Sequence, residues 1–135
     1  MPESLASLNW LAILAAAVSS FVLGGLWYGP LLGKAWMSAS GMTEERARQG
    51  NPGKIFGSAF VLQLLAAIVL AMFLGSESTI GFGAAAGASV GLFWVGTALG
   101  VVYLFEHRPL GHWTVNAGYQ VIAYTIMGLI LGAWH

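Results

Sequence analysis

Cysteine is absent from the 135 residues, which excludes a disulfide scaffold and any thiolate metal site. Charge is almost as scarce. Five Lys and Arg and five Asp and Glu make up 7% of the chain, against about 25% in soluble proteins. Ten charges are too few to keep the surface of a soluble globule of this size wet. The formal net charge is zero, so there is no basic field for nucleic acid. What fills the chain instead is apolar: 58% hydrophobic residues and a mean hydropathy of +0.78. Nineteen glycines add a residue type frequent in membrane helices.

The spacing of the charges divides the chain. No acid or strong base lies between Glu3 and Lys34, between Lys54 and Glu77, between Glu77 and Glu106, or after Arg108. A bilayer core takes roughly 20 apolar residues as a helix, so each interval holds one span and none comfortably holds two. The spans are expected near residues 9–29, 54–75, 80–105 and 112–134, in one domain covering residues 1–135. The predicted fold is an all-α four-helix transmembrane bundle with a short amphipathic, interfacial segment after the first helix. A β-barrel, the other way to cross a bilayer, would show short alternating segments that are absent here. The first interval reads as a retained helix, because a signal peptide wants a basic start and a shorter apolar core.

Lys34, Arg46 and Arg48 fall in the loop at 30–53 with Lys54 at its end, and Arg108 falls in the loop after the third span. Those loops share one side, whereas Glu3 and Glu77 face the other. The positive-inside rule puts both loops in the cytoplasm and both termini outside. Trp10, Trp27, Tyr28, Trp36, Trp113 and Trp134 sit where amphipathic rings anchor to the interface, with Lys34 snorkelling outward beside Trp36. Thr43 before Glu44 and Glu45 reads as the cap of a surface helix ending at Gly50. Asn51 and Pro52 read as the cap and first residue of the second span. A short echo of Pro30-Leu31-Leu32-Gly33-Lys34-Ala35-Trp36 in Pro109-Leu110-Gly111-His112-Trp113 suggests an internal repeat.

Small residues recur every four positions. The first span has Ala12, Ala16, Ser20 and Gly24; the second has Ala59, Ala67, Ala71 and Gly75, with Gln63 in the row. The third has Gly83, Gly87 and Gly91, and the fourth has Gly128 and Gly132. Such rows let helix backbones approach closely, either within one bundle or between copies through the third span.

Residues for chemistry are few. No Asp, Glu, Lys or Arg lies inside a span, which argues against proton-coupled export and voltage sensing. Asn116 and Gln120 share a helix face with Tyr124 a turn further on and Tyr119 beside them. Carboxamides in hydrocarbon need partners, so this face points into the bundle, as interhelical glue or as the lining of a solute path. Gln63 is the candidate partner for Gln120. Glu106, His107, Arg108 and His112 lack the ligand pattern of a metal site and read as an interfacial loop in which Arg108 meets lipid phosphate. No catalytic motif, metal site or cofactor signature is present.

Asn9-Trp10-Leu11-Ala12 opens the first span and Leu26-Trp27-Tyr28-Gly29-Pro30 closes it. Gly33-Lys34-Ala35-Trp36 follows, and Asn116-Ala117-Gly118-Tyr119-Gln120 lies in the last span. In these pieces and their order the chain resembles an uncharacterised bacterial four-helix membrane family, the domain of unknown function number seventeen sixty-one. The resemblance implies a fold and no activity. The first expectation for function is a non-enzymatic protein that works by packing, as a homo-oligomer or as an accessory subunit of a membrane complex. A small-solute channel along the fourth helix is the alternative, and a lipid-acting enzyme comes third. The expected partners are the bilayer and another membrane protein or a second copy, with no nucleic acid.

Overall fold

The computed structural model describes residues 7–47 and 49–135, with Ala47 described by its backbone alone. Glu3 and Arg48, which entered the charge argument, lie outside the described residues. Helices α1 (Trp10–Leu26), α2 (Gly33–Ser40) and α3 (Glu44–Ala47) come first. They are followed by α4 (Pro52–Leu74), α5 (Ile80–Ser89), α6 (Thr97–Phe105) and α7 (Leu110–Ala133). A π-helical turn, Trp27–Leu31, extends α1, and a π-helical segment, Val90–Gly96, joins α5 to α6. Among the described residues there is no strand. Four helical stretches are long and apolar enough to cross a membrane: Trp10–Leu31, Pro52–Leu74, Ile80–Phe105 and Leu110–Ala133.

Local chemistry sets where the helices start. Asn9 accepts from the Ala12 amide at 3.1 Å, Asn51 from Lys54 at 3.2 Å, and Thr79 from Phe82 at 3.1 Å. Each satisfies an amide that a helix start leaves without an intrahelical partner, and Pro52 supplies a first residue with no amide proton to satisfy. Thr43 caps α3 in the same way, accepting from Arg46. Helix α3 is shorter than the sequence suggested, with described helical residues ending at Ala47 and Gly50 at a φ of 87°. Pro30 and Gly29 produce the expected bend: Gly29 leaves helical geometry, and the Leu32 amide reaches back to Trp27 at 2.8 Å.

Helix α7 is the hub. It packs along α5 and the π segment on one side and along α1 on the other, while α4 packs mainly on α1. Ala12, Ile13, Ala16 and Ala17 of α1 meet Ala67, Leu70 and Leu74 of α4 and Met127 and Leu131 of α7 in the apolar core. The outward sides of α4 and the third span carry Phe56, Leu62, Val69, Phe93, Trp94 and Val101, all exposed. In water such surface would drive association; against lipid tails it is at no disadvantage.

The glycines of the third span explain how close α5 and α7 come. A Cβ at Gly83 would strike the Gly128 carbonyl, one at Gly128 the Gly83 carbonyl, and one at Gly87 the Tyr124 carbonyl. At Gly91 it would lie 2.7 Å from the Gln120 carbonyl. Glycine hydrogens therefore face carbonyl oxygens across the pair, the arrangement of weak Cα–H···O contacts. This row is spent inside one chain. It is not free to join two copies, which was the sharper of the two readings its spacing allowed.

The π segment keeps that row in register. After Gly83, Gly87 and Gly91, the next glycine on the packed side is Gly96, five residues on, followed by Gly100. On a regular α-helix five residues would turn Gly96 about 140° off the Gly91 direction. Turns closed by i→i+5 bonds absorb the extra residue. Gly91 and Gly96 are consequently both buried, and Gly100 faces the Trp113 ring.

Candidate functional site

Most hydroxyls at depth are used by their own helices. Ser19 and Ser20 donate to Ala16 and Ala17, Ser89 to Ala85, Thr97 to Phe93, and Thr125 to Val121, at 2.6–2.9 Å. This back-bonding satisfies the group without linking helices. Among the described residues the interhelical polar chemistry is left to one carboxamide and a set of aromatic side chains.

Asn116 is the centre. Its Oδ1 accepts from the Tyr28 hydroxyl at 2.6 Å, and its Nδ2 donates to the Tyr103 hydroxyl at 2.9 Å. The first, third and fourth spans are thereby tied through a single side chain. Around it, Tyr119 donates to the Ser20 carbonyl at 2.8 Å, Trp27 to the Val115 carbonyl at 2.9 Å, and Trp113 to the Gly96 carbonyl at 2.9 Å. The Tyr28 ring lies 5.4 Å from that of Tyr119 and edge-on to Trp36 at 5.6 Å. The Trp27 ring presses on Gly118, where a Cβ would come within 3.2 Å.

Three residues read as interfacial anchors also make hydrogen bonds into the bundle. Trp27, Tyr28 and Trp113 turn their polar atoms inward, to backbone or to Asn116, because the kinked end of the first span and the π segment bring acceptors within reach of their rings. Trp10 and Trp134 remain about half exposed at the opposite end, and Lys34 is exposed on α2.

The face expected along α7 divides. Asn116 and Tyr119 meet the first span, while the Gln120 and Tyr124 backbones lie against Gly91 and Gly87. The expected Gln63–Gln120 pair is not formed: among the described residues neither side chain makes a hydrogen bond, and both are partly exposed. Helix α4 packs mainly on α1, so Gln63 is on the wrong neighbour, whereas two tyrosines carry a hydroxyl across the gap between helices. Tyr103 was missed from the sequence. Its position near the end of a 28-residue uncharged run gave it no periodic partner. The suspected repeat also divides: its first copy is the separate helix α2, and its second runs straight into α7.

A cavity of about 500 Å³ lies at the end where α1 begins and α4 and α7 finish. His135 sits on its wall, with Nε2 2.7 Å from the Ser78 carbonyl. At the other end Glu106 pairs locally with Arg108 at 2.6 Å.

A family model described as "Protein of unknown function (DUF1761)" matches residues 11–132, a stretch that contains Asn116 and each of its partners. No curated protein and no solved structure matches the chain.

Proposed function

Since the chain belongs to the DUF1761 family, whose description carries no activity, we propose a function from its geometry: a non-enzymatic integral membrane protein that works through helix packing. It serves as a homo-oligomer or as an accessory subunit of a membrane complex, in the bacterial inner membrane that the family resemblance implies. The observation that carries this reading is the Asn116 carboxamide, with both of its ends engaged by tyrosines of two other spans. A solute path would instead need carboxamides turned toward water. The core is filled by Ala, Ile, Leu and Met side chains, which favours a packed interior over a wet one. Association, of either kind, uses surfaces other than the glycine row, since α7 already covers it.

Two measurements test the reading together. Asn116→Leu should lower thermal stability in detergent, and proteoliposomes of the wild-type chain should pass glycerol and urea no faster than empty vesicles. Saturable flux abolished by Asn116→Leu at unchanged stability would replace the packing reading by the channel.

A further inference from the structure

A second cavity, of about 300 Å³, opens at the loop end, between α2, the tip of α3, the end of α6 and the first turn of α7. Its wall is unusually rich in donors with nothing to donate to. Arg108 spends only Nε on Glu106, so among the described residues both terminal guanidinium nitrogens lack a partner, and its guanidinium carbon lies 5.7 Å from the centre of the Tyr103 ring. Arg46, also on the wall, makes no ion pair among the described residues. The Ser40 oxygen accepts from the Met42 amide at 3.2 Å, so its proton remains to be given. His112 is 6% exposed and stacked on Tyr103 at 4.7 Å. Its Nδ1 is buried without a partner, and Nε2 is not sealed in that way. Helix α7 starts behind it with no side-chain cap, so the positive end of a 24-residue helix adds to the field.

Against these donors the wall sets one carboxylate, Glu106, already engaged in holding Arg108. Two cations and one anion leave an excess of one positive charge. A ligand that only accepts, carries net negative charge and offers several oxygens in different directions is what such a wall lacks. Phosphate has that chemistry, and arginine is the side chain suited to it. The site also lies at the level where spans end, and Leu104, Phe105 and Leu110 beside it are more than three-quarters exposed. Acyl chains attached to a phosphate would find apolar surface there.

We propose that this cavity binds a net anionic phosphate group, gripped by Arg46 and Arg108 with Ser40 and His112 donating from the sides. The proposal goes beyond the packing function and does not depend on it. Its source is an anionic phospholipid headgroup or free phosphate, and the two are separable.

Thermal unfolding of the full chain in a neutral detergent supplies the test, with dioleoyl phosphatidylglycerol, dioleoyl phosphatidylcholine or inorganic phosphate added. Phosphatidylglycerol should give a saturable rise in Tm, because a ligand that binds only the folded state stabilises it by mass action. The double variant R46Q/R108Q should lose that rise. K34Q/K54Q, which removes the same charge from the same end but outside the cavity, should keep it. His112→Phe retains a ring to stack on Tyr103 and should weaken the apparent affinity about tenfold, equivalent to about 1.4 kcal/mol. A rise with inorganic phosphate alone assigns the site to the soluble ion. The proposal is overturned if neither phosphate source raises Tm, or if phosphatidylcholine matches phosphatidylglycerol. It is equally overturned if K34Q/K54Q loses as much as R46Q/R108Q, since that would mean smeared surface charge.

Discussion

At the residue scale the chain concentrates its interhelical polar chemistry at Asn116. Replacing it by Leu keeps similar volume but strands the Tyr28 and Tyr103 hydroxyls, so two interhelical bonds of about 0.6–2 kcal/mol each are at stake. Asn116→Leu should cost about 1–3 kcal/mol in detergent unfolding, and Tyr28→Phe and Tyr103→Phe about 1 kcal/mol each. A double-mutant cycle between Asn116→Leu and Tyr103→Phe should show coupling above about 0.5 kcal/mol. Gln120→Leu, which removes a side chain with no bonded partner, should change stability by less than any of them. Equal losses for Gln120→Leu and Asn116→Leu would mean that the network is not where the hydrogen bonds place it. That Asn116 must point inward was legible from the sequence, because a carboxamide in hydrocarbon has no other option. Its partners were not. A tyrosine hydroxyl lies far from its own backbone, so helical spacing says little about what it reaches.

At the element scale the four-residue rows told which sides of the spans pack, but not whether one chain or two supplied the opposing helix. The carbonyls of Thr79, Gly128 and Tyr124 answer that, since each stands where a Cβ of the glycine opposite would be. Gly83→Leu and Gly128→Leu should therefore destabilise the single chain by at least about 2 kcal/mol rather than only shift its oligomeric mass. Gly57→Ala, at a glycine with open space around it, should stay within about 1 kcal/mol of wild type. The π segment was invisible in the hydrophobic pattern, because the run from Ile80 to Phe105 is apolar on every side. The change of glycine spacing from four to five was the signal available for it. Deleting Phe93, an exposed residue of that segment, should restore four-residue spacing and let an ordinary α-helix carry Gly96 and Gly100 on the same side. This variant should fold and keep the Tyr103–Asn116 bond. Deleting Ala85, which lies within the regular helix, should turn everything on one side of it away from α7 and lower Tm sharply. Equal damage from both deletions would mean that the π segment does not set register.

At the scale of the whole molecule, charge and packing assign different roles to the two ends. Lys34, Arg46, Lys54 and Arg108 collect where the kinked first span, α2 and α3 lie, and Glu77 stands at the opposite end with the C-terminal ends of α4 and α7. Under the positive-inside rule the expected orientation has the basic end in the cytoplasm, which a labelling experiment can test. The span count and this asymmetry came directly from the intervals between charges, since a bilayer tolerates few charges within a span. A reporter is easily placed because the chain has no cysteine of its own. Gln49→Cys puts one in the basic loop and Ser76→Cys puts one in the short turn between α4 and α5, and both positions are exposed. Ser78, two residues on, is buried at 8% and would label poorly in either orientation. With a membrane-impermeant maleimide added to intact cells, Ser76→Cys should react and Gln49→Cys should react only after lysis. Labelling of Gln49→Cys alone in intact cells would invert the molecule, placing the basic cavity outside and requiring Arg46 and Arg108 to find their anion in the outer leaflet.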